Sequence, residues 1–155
     1  MRLKDRILTR FTKPVVTYMA RGRLSQEVTV QRDKWGIPHI MAANRPDMYL
    51  TQGAIHAQDR LWQMELSRRV ASGTAAAMLG ADALPLDQLT RTLGFRRLAQ
   101  QTWEKLNQQA KEDLHAYTAG INAYLATNPA LSVEFRLLGH QPQPPPGPVD
   151  AGVGQ

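Results

Sequence analysis

The sequence of 155 residues contains no cysteine, which excludes disulfide bonds, thiolate nucleophiles and cysteine-ligated zinc. It has no apolar run near the roughly 18 residues that a membrane-spanning helix needs. Glycine-rich phosphate loops, HExxH metal motifs and GxSxG nucleophile elbows are also absent. The whole sequence is 43% hydrophobic and 21% charged, as in globular proteins. The sequence therefore predicts a folded domain without a local catalytic motif.

The net charge of +6 is confined to the first part of the chain. Residues 1–23 hold seven basic side chains and one acidic side chain, whereas the remaining residues carry equal numbers of each sign. A protein that binds nucleic acid needs basic side chains clustered on its folded surface. The neutral body of this chain therefore argues against a nucleic-acid partner.

Residues 1–27 form a basic leader with two interpretations. Its apolar stretch, residues 14–20, is interrupted by Thr17 and Tyr18. An export signal has an uninterrupted apolar core of about 7 to 15 residues and a small-residue cleavage site. The leader is therefore either a marginal export signal or an amphipathic or disordered extension.

The segment "VTVQRDKWGIPHIMA" predicts a β-hairpin, since apolar residues alternate around the turn residues Asp33 and Gly36. Asn44 then predicts the start of a long helix and Gly73 its end. Two apolar stripes are expected on nearly opposite sides of this helix: Leu50, Ala54, Ala57, Leu61 and Met64, and Met48, Ile55, Trp62, Leu66 and Val70. Such a helix packs between two layers, and we expect the covering layers to lie outside this chain.

One or two shorter helices, broken near Gly80 and Pro85, are predicted next. A last helix spans about residues 108–126, and residues 140–155 form a Pro/Gly-rich tail that is expected to be disordered or extended. The predicted fold class is α+β and mainly helical, with a short N-terminal β-hairpin followed by three to four helices.

Asp59 is the most informative candidate residue, because it falls within an apolar stripe of the long helix. A buried carboxylate needs a partner, and Arg32, Arg60 or a group outside the chain would serve. A catalytic acid or base would need a second titratable group nearby, and none is placed there. We therefore favour a structural anchor made of Asp59, Arg60, Arg32 and Trp62. His56 lies three residues before Asp59, but no third metal ligand accompanies them, so no metal site is predicted.

A larger pattern lies in the order of five segments: "VTVQRDKWGIPHIMA", "DMYLTQGAIHAQDRLWQMELSRRVASG", "MLG", "YTAGINAYL" and "EFRLLG". Together they cover residues 28–139, and they resemble the start of the α chain in the penicillin acylase family. This family comprises penicillin amidases, cephalosporin acylases and acyl-homoserine-lactone acylases.

The resemblance implies an N-terminal-nucleophile hydrolase with a four-layer αββα fold, made as a precursor that cleaves itself into an α chain and a β chain. The nucleophile, the first residue of the β chain, hydrolyses an acyl amide through an acyl-enzyme. No catalytic or substrate-binding residue carries over to this sequence, and no cofactor is expected in this chain. The implied partners are the missing remainder of the α chain and the β chain. The family often binds a structural calcium and is periplasmic, although a leader that is not a signal would leave the protein cytoplasmic.

The C-terminal segment "PPPGPVDAGVGQ" departs from the family, which usually has a Trp-containing segment there. We expect a truncated or frameshifted reading frame, and a chain that is inactive alone. The alternative function is a small, non-catalytic helical binding module, which predicts a stable monomer.

Overall fold

The computed structural model describes residues 24–145 and begins with the predicted hairpin. Strand β1 (Thr29–Arg32) pairs antiparallel with β2 (Pro38–Met41), and Val30 lies opposite Ile40. The backbone N–H of Gly36 donates to the carbonyl of Asp33 at 3.0 Å and closes the turn. Gly36 has a φ of 80°, which glycine adopts without strain. The predicted hairpin is confirmed.

Helix α1 (Arg45–Ser72) has the predicted bounds. The Asn44 side chain accepts a hydrogen bond from the backbone N–H of Asp47 at 2.8 Å, as an N-cap does. At the other end Gly73 takes the left-handed conformation, and its N–H bonds to the last carbonyls of the helix. The sequence therefore predicts both ends from their caps.

Five further helices follow in the described residues: α2 (Ala76–Leu79), α3 (Leu84–Leu93), α4 (Phe95–Lys105), α5 (Gln108–Leu125) and α6 (Val133–Leu137). A 3-10 turn, Ala81–Ala83, joins α2 to α3. The mainly helical α+β class is confirmed, but the helices are more numerous than predicted. Gly80 and Gly94 both have positive φ and divide the middle segment into three short helices.

The hairpin and α5 pack on different sides of α1. The hairpin side holds the core cluster of Val28, Val30, Leu50 and Ile55. On the α5 side the two backbones almost touch, because a Cβ at Gly120 would lie only 1.9 Å from the carbonyl oxygen of Leu50. This close crossing fixes α5 against α1.

All ten residues of the two predicted stripes of α1 are buried or half-buried. The expectation that their covering layers lie outside the chain is wrong for the first half of α1, where the hairpin and α5 cover it. Of the polar residues between the stripes, one set faces solvent: His56, Arg60, Gln63 and Ser67. The other set is buried or half-buried: Thr51, Gln58, Glu65 and Arg69. The helix is therefore covered on both apolar stripes and on one of the two polar sides between them.

The described part of the tail, residues 140–145, forms no helix or strand and packs on the helices. The side-chain amide of Asn122 in α5 donates to the carbonyl of Pro145 at 3.4 Å. Pro142 and Pro145 also line an apolar cavity of about 180 Å³ together with Leu61 and Leu125. Residues 146–155 lie outside the described residues.

Most of the predicted leader, residues 1–23, also lies outside the described residues. The backbone N–H groups of Ser25 and Gln26 both donate to the buried carboxylate of Asp47, each at 2.9 Å. The end of the leader is therefore held at the start of α1. None of the helices between residues 24 and 145 is long and apolar enough to span a membrane.

Candidate functional site

The structure brings two of the four predicted anchor residues into direct contact. The Arg32 guanidinium at the end of β1 forms a bidentate ion pair with Asp59 of α1, with N–O distances of 2.9 and 2.7 Å. Arg32 also donates to the carbonyl of Gly36 at 2.8 Å, so it joins the hairpin turn to the helix. The expectation that Asp59 is buried is wrong: its side chain is 31% exposed, because the pair lies at the margin of the hairpin.

Arg60 and Trp62 do not join this pair. Arg60 has a non-helical backbone (φ −141°, ψ 27°) that kinks α1, and its exposed side chain forms no hydrogen bond or ion pair with residues 24–145. Trp62 packs edge-to-face against Phe135 of α6, with ring centroids 5.2 Å apart. The predicted group thus divides into an ion pair, a kink and an aromatic contact.

Sequence reasoning missed the most buried ionic cluster, which is centred on Glu65. The Glu65 carboxylate accepts hydrogen bonds from Arg68 at 2.7 Å and from Arg69 at 2.7 Å, and His140 Nε2 lies 3.1 Å from it. Burial alone raises the pKa of Glu65, but these hydrogen bonds outweigh it and hold the pKa below its ordinary value. The spacing of Arg68 and Arg69 was a local signal, whereas His140 is 75 residues away.

The cluster ties the tail to α1. The His140 ring stacks on Phe135, with centroids 6.1 Å apart, and Phe135 is 1% exposed. His140, Phe135 and Trp62 therefore form one continuous set of contacts between the tail, α6 and α1. Its chemistry is that of a stabilising ion cluster.

Histidine and hydroxyl groups within residues 24–145 are not arranged for nucleophilic catalysis. His56 Nδ1 lies 2.9 Å from the Tyr117 hydroxyl, His39 contacts Asp33, and His140 contacts Glu65. No serine or threonine hydroxyl in this range hydrogen-bonds to a histidine, which is the pairing that activates such a nucleophile. The described residues also contain no group of three or more histidine, cysteine, aspartate or glutamate side chains that could hold a metal ion.

Comparison with known proteins places the chain in a family. The family model for penicillin amidase matches residues 27–153. The chain belongs to the penicillin amidase family. A relative in the family, the penicillin acylase 2 proenzyme of Pseudomonas sp. (strain SE83), is 51% identical over 121 residues, which are 78% of this chain and 16% of the relative. The acyl-homoserine lactone acylase QuiP of Pseudomonas fluorescens is 36% identical over 102 residues, 66% of this chain and 13% of the relative.

A solved structure of the penicillin amidase family confirms the predicted fold. The thermostable penicillin G acylase from Alcaligenes faecalis superposes with a TM-score of 0.69 at 32% identity, over 78% of this chain and 66% of that chain. The resemblance inferred from the sequence segments is therefore confirmed. This chain spans only a small part of the curated relatives it matches, 16% of the penicillin acylase 2 proenzyme and 13% of QuiP.

Proposed function

We propose that the chain is the N-terminal part of the precursor of a penicillin-acylase-type amidohydrolase, which hydrolyses acyl amides through an acyl-enzyme. The observation that carries this proposal is the 51% identity with the penicillin acylase 2 proenzyme over 78% of this chain. The similarity to both penicillin and acyl-homoserine lactone acylases supports two candidate substrate classes: amides of β-lactam nuclei and of homoserine lactone.

The chain alone is proposed to be inactive, because residues 24–145 lack a nucleophile–base pair. The nucleophile and its oxyanion hole would come from the remainder of the precursor. Residues 24–145 would contribute a frame in which the Arg32–Asp59 pair joins the hairpin to α1 and the Glu65 cluster joins the tail to the same helix.

The remainder of the precursor is also the proposed partner of the exposed apolar surface. Trp35 on the hairpin turn is 74% exposed, and Leu89 and Leu93 on α3 are each 56% exposed. Apolar patches of this kind are uncommon on a protein that is complete as a monomer, since they favour association. A covering polypeptide from the same precursor would bury them.

Two further properties of the family are proposed for the whole protein. A structural calcium would need ligands outside residues 24–145, because these residues supply no acidic cluster of their own. Export to the periplasm would depend on residues 1–23, and N-terminal sequencing of the protein from a periplasmic fraction would test it.

Fragment complementation tests the proposed function. The 155-residue chain would be co-expressed with the part of the penicillin acylase 2 proenzyme that follows its matched segment, and amine release from a chromogenic acyl anilide would be measured. We expect no turnover from either part alone and measurable turnover, with co-purification, from both together.

Two outcomes would contradict the proposal. Turnover by the 155-residue chain alone would place the chemistry in this chain. Absence of both turnover and co-purification, with the chain a stable monomer, would instead support the small helical binding module.

A further inference from the structure

A small cavity lies where the tail passes over the second half of α1. Its volume is about 180 Å³, and it is bounded by α1, α5 and the described part of the tail. Most of its wall is apolar and comes from six side chains: Leu61, Met64, Ile121, Leu125, Pro142 and Pro145. All six are buried or half-buried. We call this space the tail cavity.

The tail cavity begins directly after the kink in α1. Before the kink, the backbones of α1 and α5 almost touch at Gly53 and Gly120. Arg60 has a non-helical backbone, and the next residues of α1 that face α5, Leu61 and Met64, line open space. Tight packing of α1 on α5 therefore ends at the kink. Voids larger than a water molecule are few in a folded domain, so a space of this size is a candidate site.

The polar residues in the wall favour an apolar occupant. They are Glu65, Arg68 and Gln143. The Glu65 carboxylate already accepts hydrogen bonds from Arg68 and Arg69, both at 2.7 Å, and lies 3.1 Å from His140 Nε2. A buried water needs two to four polar partners, whereas an apolar cavity of roughly 150 Å³ stays dry and accepts a molecule of the size of benzene. The tail cavity therefore suits a small apolar molecule.

The chemistry of the wall selects an aromatic ring among apolar molecules. Pro142 and Pro145 are three residues apart, the spacing that places two side chains on one side of a polyproline helix. Prolines presented in this way pack on aromatic rings when proline-rich segments are recognised. The Met64 thioether and the Arg68 guanidinium also attract aromatic rings. Within residues 24–145, no aromatic side chain lines the tail cavity, so the ring that would match this wall is not supplied there.

We propose that the tail cavity binds a neutral molecule with a single aromatic ring, of the size of toluene. The ring packs between the prolines of the tail, Pro142 and Pro145, and the α1 side chains Leu61 and Met64. A charged analogue such as benzoate is excluded, because its carboxylate would lose water beside the carboxylate of Glu65. This binding does not depend on the proposed activity, and it is tested with added ligand.

The methyl group of Met64 gives a direct readout in the 155-residue chain. The six methionines are labelled with ¹³C at the methyl group, and Met64→Leu identifies the Met64 signal. We expect toluene to shift this signal through its ring current and to leave the signal of Met41, which is 51% exposed on the hairpin, unchanged. Toluene should bind about fivefold more tightly than methylcyclohexane, since the sulfur and the guanidinium favour an aromatic ring. Benzoate should leave the Met64 signal unchanged.

Variants of the tail test whether the prolines form the wall. Pro142→Ala with Pro145→Ala should weaken toluene about fivefold, because two apolar rings are lost from the contact. The matched control is Pro144→Ala, which removes an exposed proline of the same segment that does not line the tail cavity and should change the affinity little. Leu125→Phe places a ring of the chain itself in the cavity and should abolish toluene binding.

Four results would overturn the proposal. An unchanged Met64 signal with toluene would reject the site, and an equal shift of the Met41 signal would show only adsorption to exposed apolar surface. Equal affinity for methylcyclohexane would remove the aromatic preference. An equal effect of Pro144→Ala would remove the two prolines from the contact.

The same titration on the complex with the remainder of the precursor tests a different occupant. We expect toluene to shift the Met64 signal there as it does in the chain alone. Binding to the chain alone, together with a Met64 signal that toluene no longer shifts in the complex, would assign the tail cavity to a side chain of the precursor and overturn the proposal for a free ligand.

Discussion

At the scale of single residues, the Arg32–Asp59 pair is the contact that sequence reasoning anticipated. Both side chains are partly exposed, at 24% and 31%, so solvent screens their attraction. We expect Asp59→Asn to lower the free energy of unfolding by about 1 kcal/mol or less, and less still at high salt. Urea unfolding at low and high salt measures this, with Arg60→Ala as the neutral control. A loss that does not depend on salt would contradict an electrostatic role.

Glu65 should matter more, because its side chain is only 4% exposed and three partners depend on it. We expect Glu65→Gln to lower the free energy of unfolding at pH 7 by about 2–3 kcal/mol, since it leaves Arg68 and Arg69 without their counter-charge.

The pH dependence of this difference follows from the sign of the pKa shift. The folded-state pKa of Glu65 lies below its ordinary value of 4.5, so its contribution is complete above pH 5 and is lost as the pH falls through the folded-state pKa. The gap in urea-unfolding free energy between the natural chain and Glu65→Gln should therefore shrink towards pH 3. An equal gap at pH 7 and pH 3 would show that the carboxylate charge does not stabilise the fold.

The two ion clusters differ in how far the sequence predicts them. Arg32 was a candidate partner for Asp59 because both lie on elements that must pack together. Glu65 lies among the polar residues between the two stripes of α1, and spacing along α1 cannot show that His140 and Phe135 return from the far end of the chain to cover that side. Periodicity gives the sides of a helix, and long-range packing decides which side meets water.

At the scale of elements, the close crossing of α1 and α5 depends on two glycines, because the contact leaves no room for a side chain at either position. A Cβ at Gly120 would lie 1.9 Å from the carbonyl oxygen of Leu50, and one at Gly53 would lie 2.0 Å from that of Tyr117. The helices must separate to accept either. We expect Gly120→Ala to lower the free energy of unfolding by about 2–4 kcal/mol, although alanine favours a helix.

A glycine without a close contact provides the control for this prediction. Gly139 has a φ of 60° and nothing within 4 Å of a built Cβ, so Gly139→Ala introduces only backbone strain. It should cost about 1 kcal/mol in the same urea-unfolding measurement. If Gly120→Ala were no worse than Gly139→Ala, the two backbones would not be in contact.

The sequence predicts where a helix ends better than it predicts which element the helix packs against. Asn44 and Gly73 mark the ends of α1, because capping is local chemistry. Gly94 was not recognised as a break, and Gly53 and Gly120 look like ordinary weak points of helices. Only the partner helix shows that they are points of close approach, and no local pattern contains that partner.

At the scale of the whole molecule, α3 has an exposed apolar side, whereas the two stripes of α1 are covered. Leu86, Leu89 and Leu93 recur at helical spacing and are 41%, 56% and 56% exposed, while the opposite residues Asp87 and Thr90 are buried. The side of α3 that meets the rest of the chain is therefore its polar side. This outward-facing arrangement of the leucines fits the proposal that they pack against the remainder of the precursor.

The 155-residue chain on its own should therefore self-associate through this leucine surface. Sedimentation velocity should show larger species as the concentration rises, and Leu89→Lys with Leu93→Lys should shift association to at least tenfold higher concentration, since each leucine contributes about 1.5–3 kcal/mol when buried. Gln88→Lys with Thr92→Lys adds the same charge to exposed positions elsewhere on α3 and should change association little. Equal effects of the two pairs would assign the change to net charge, and a monomer at every concentration would mean that the leucine surface needs no cover.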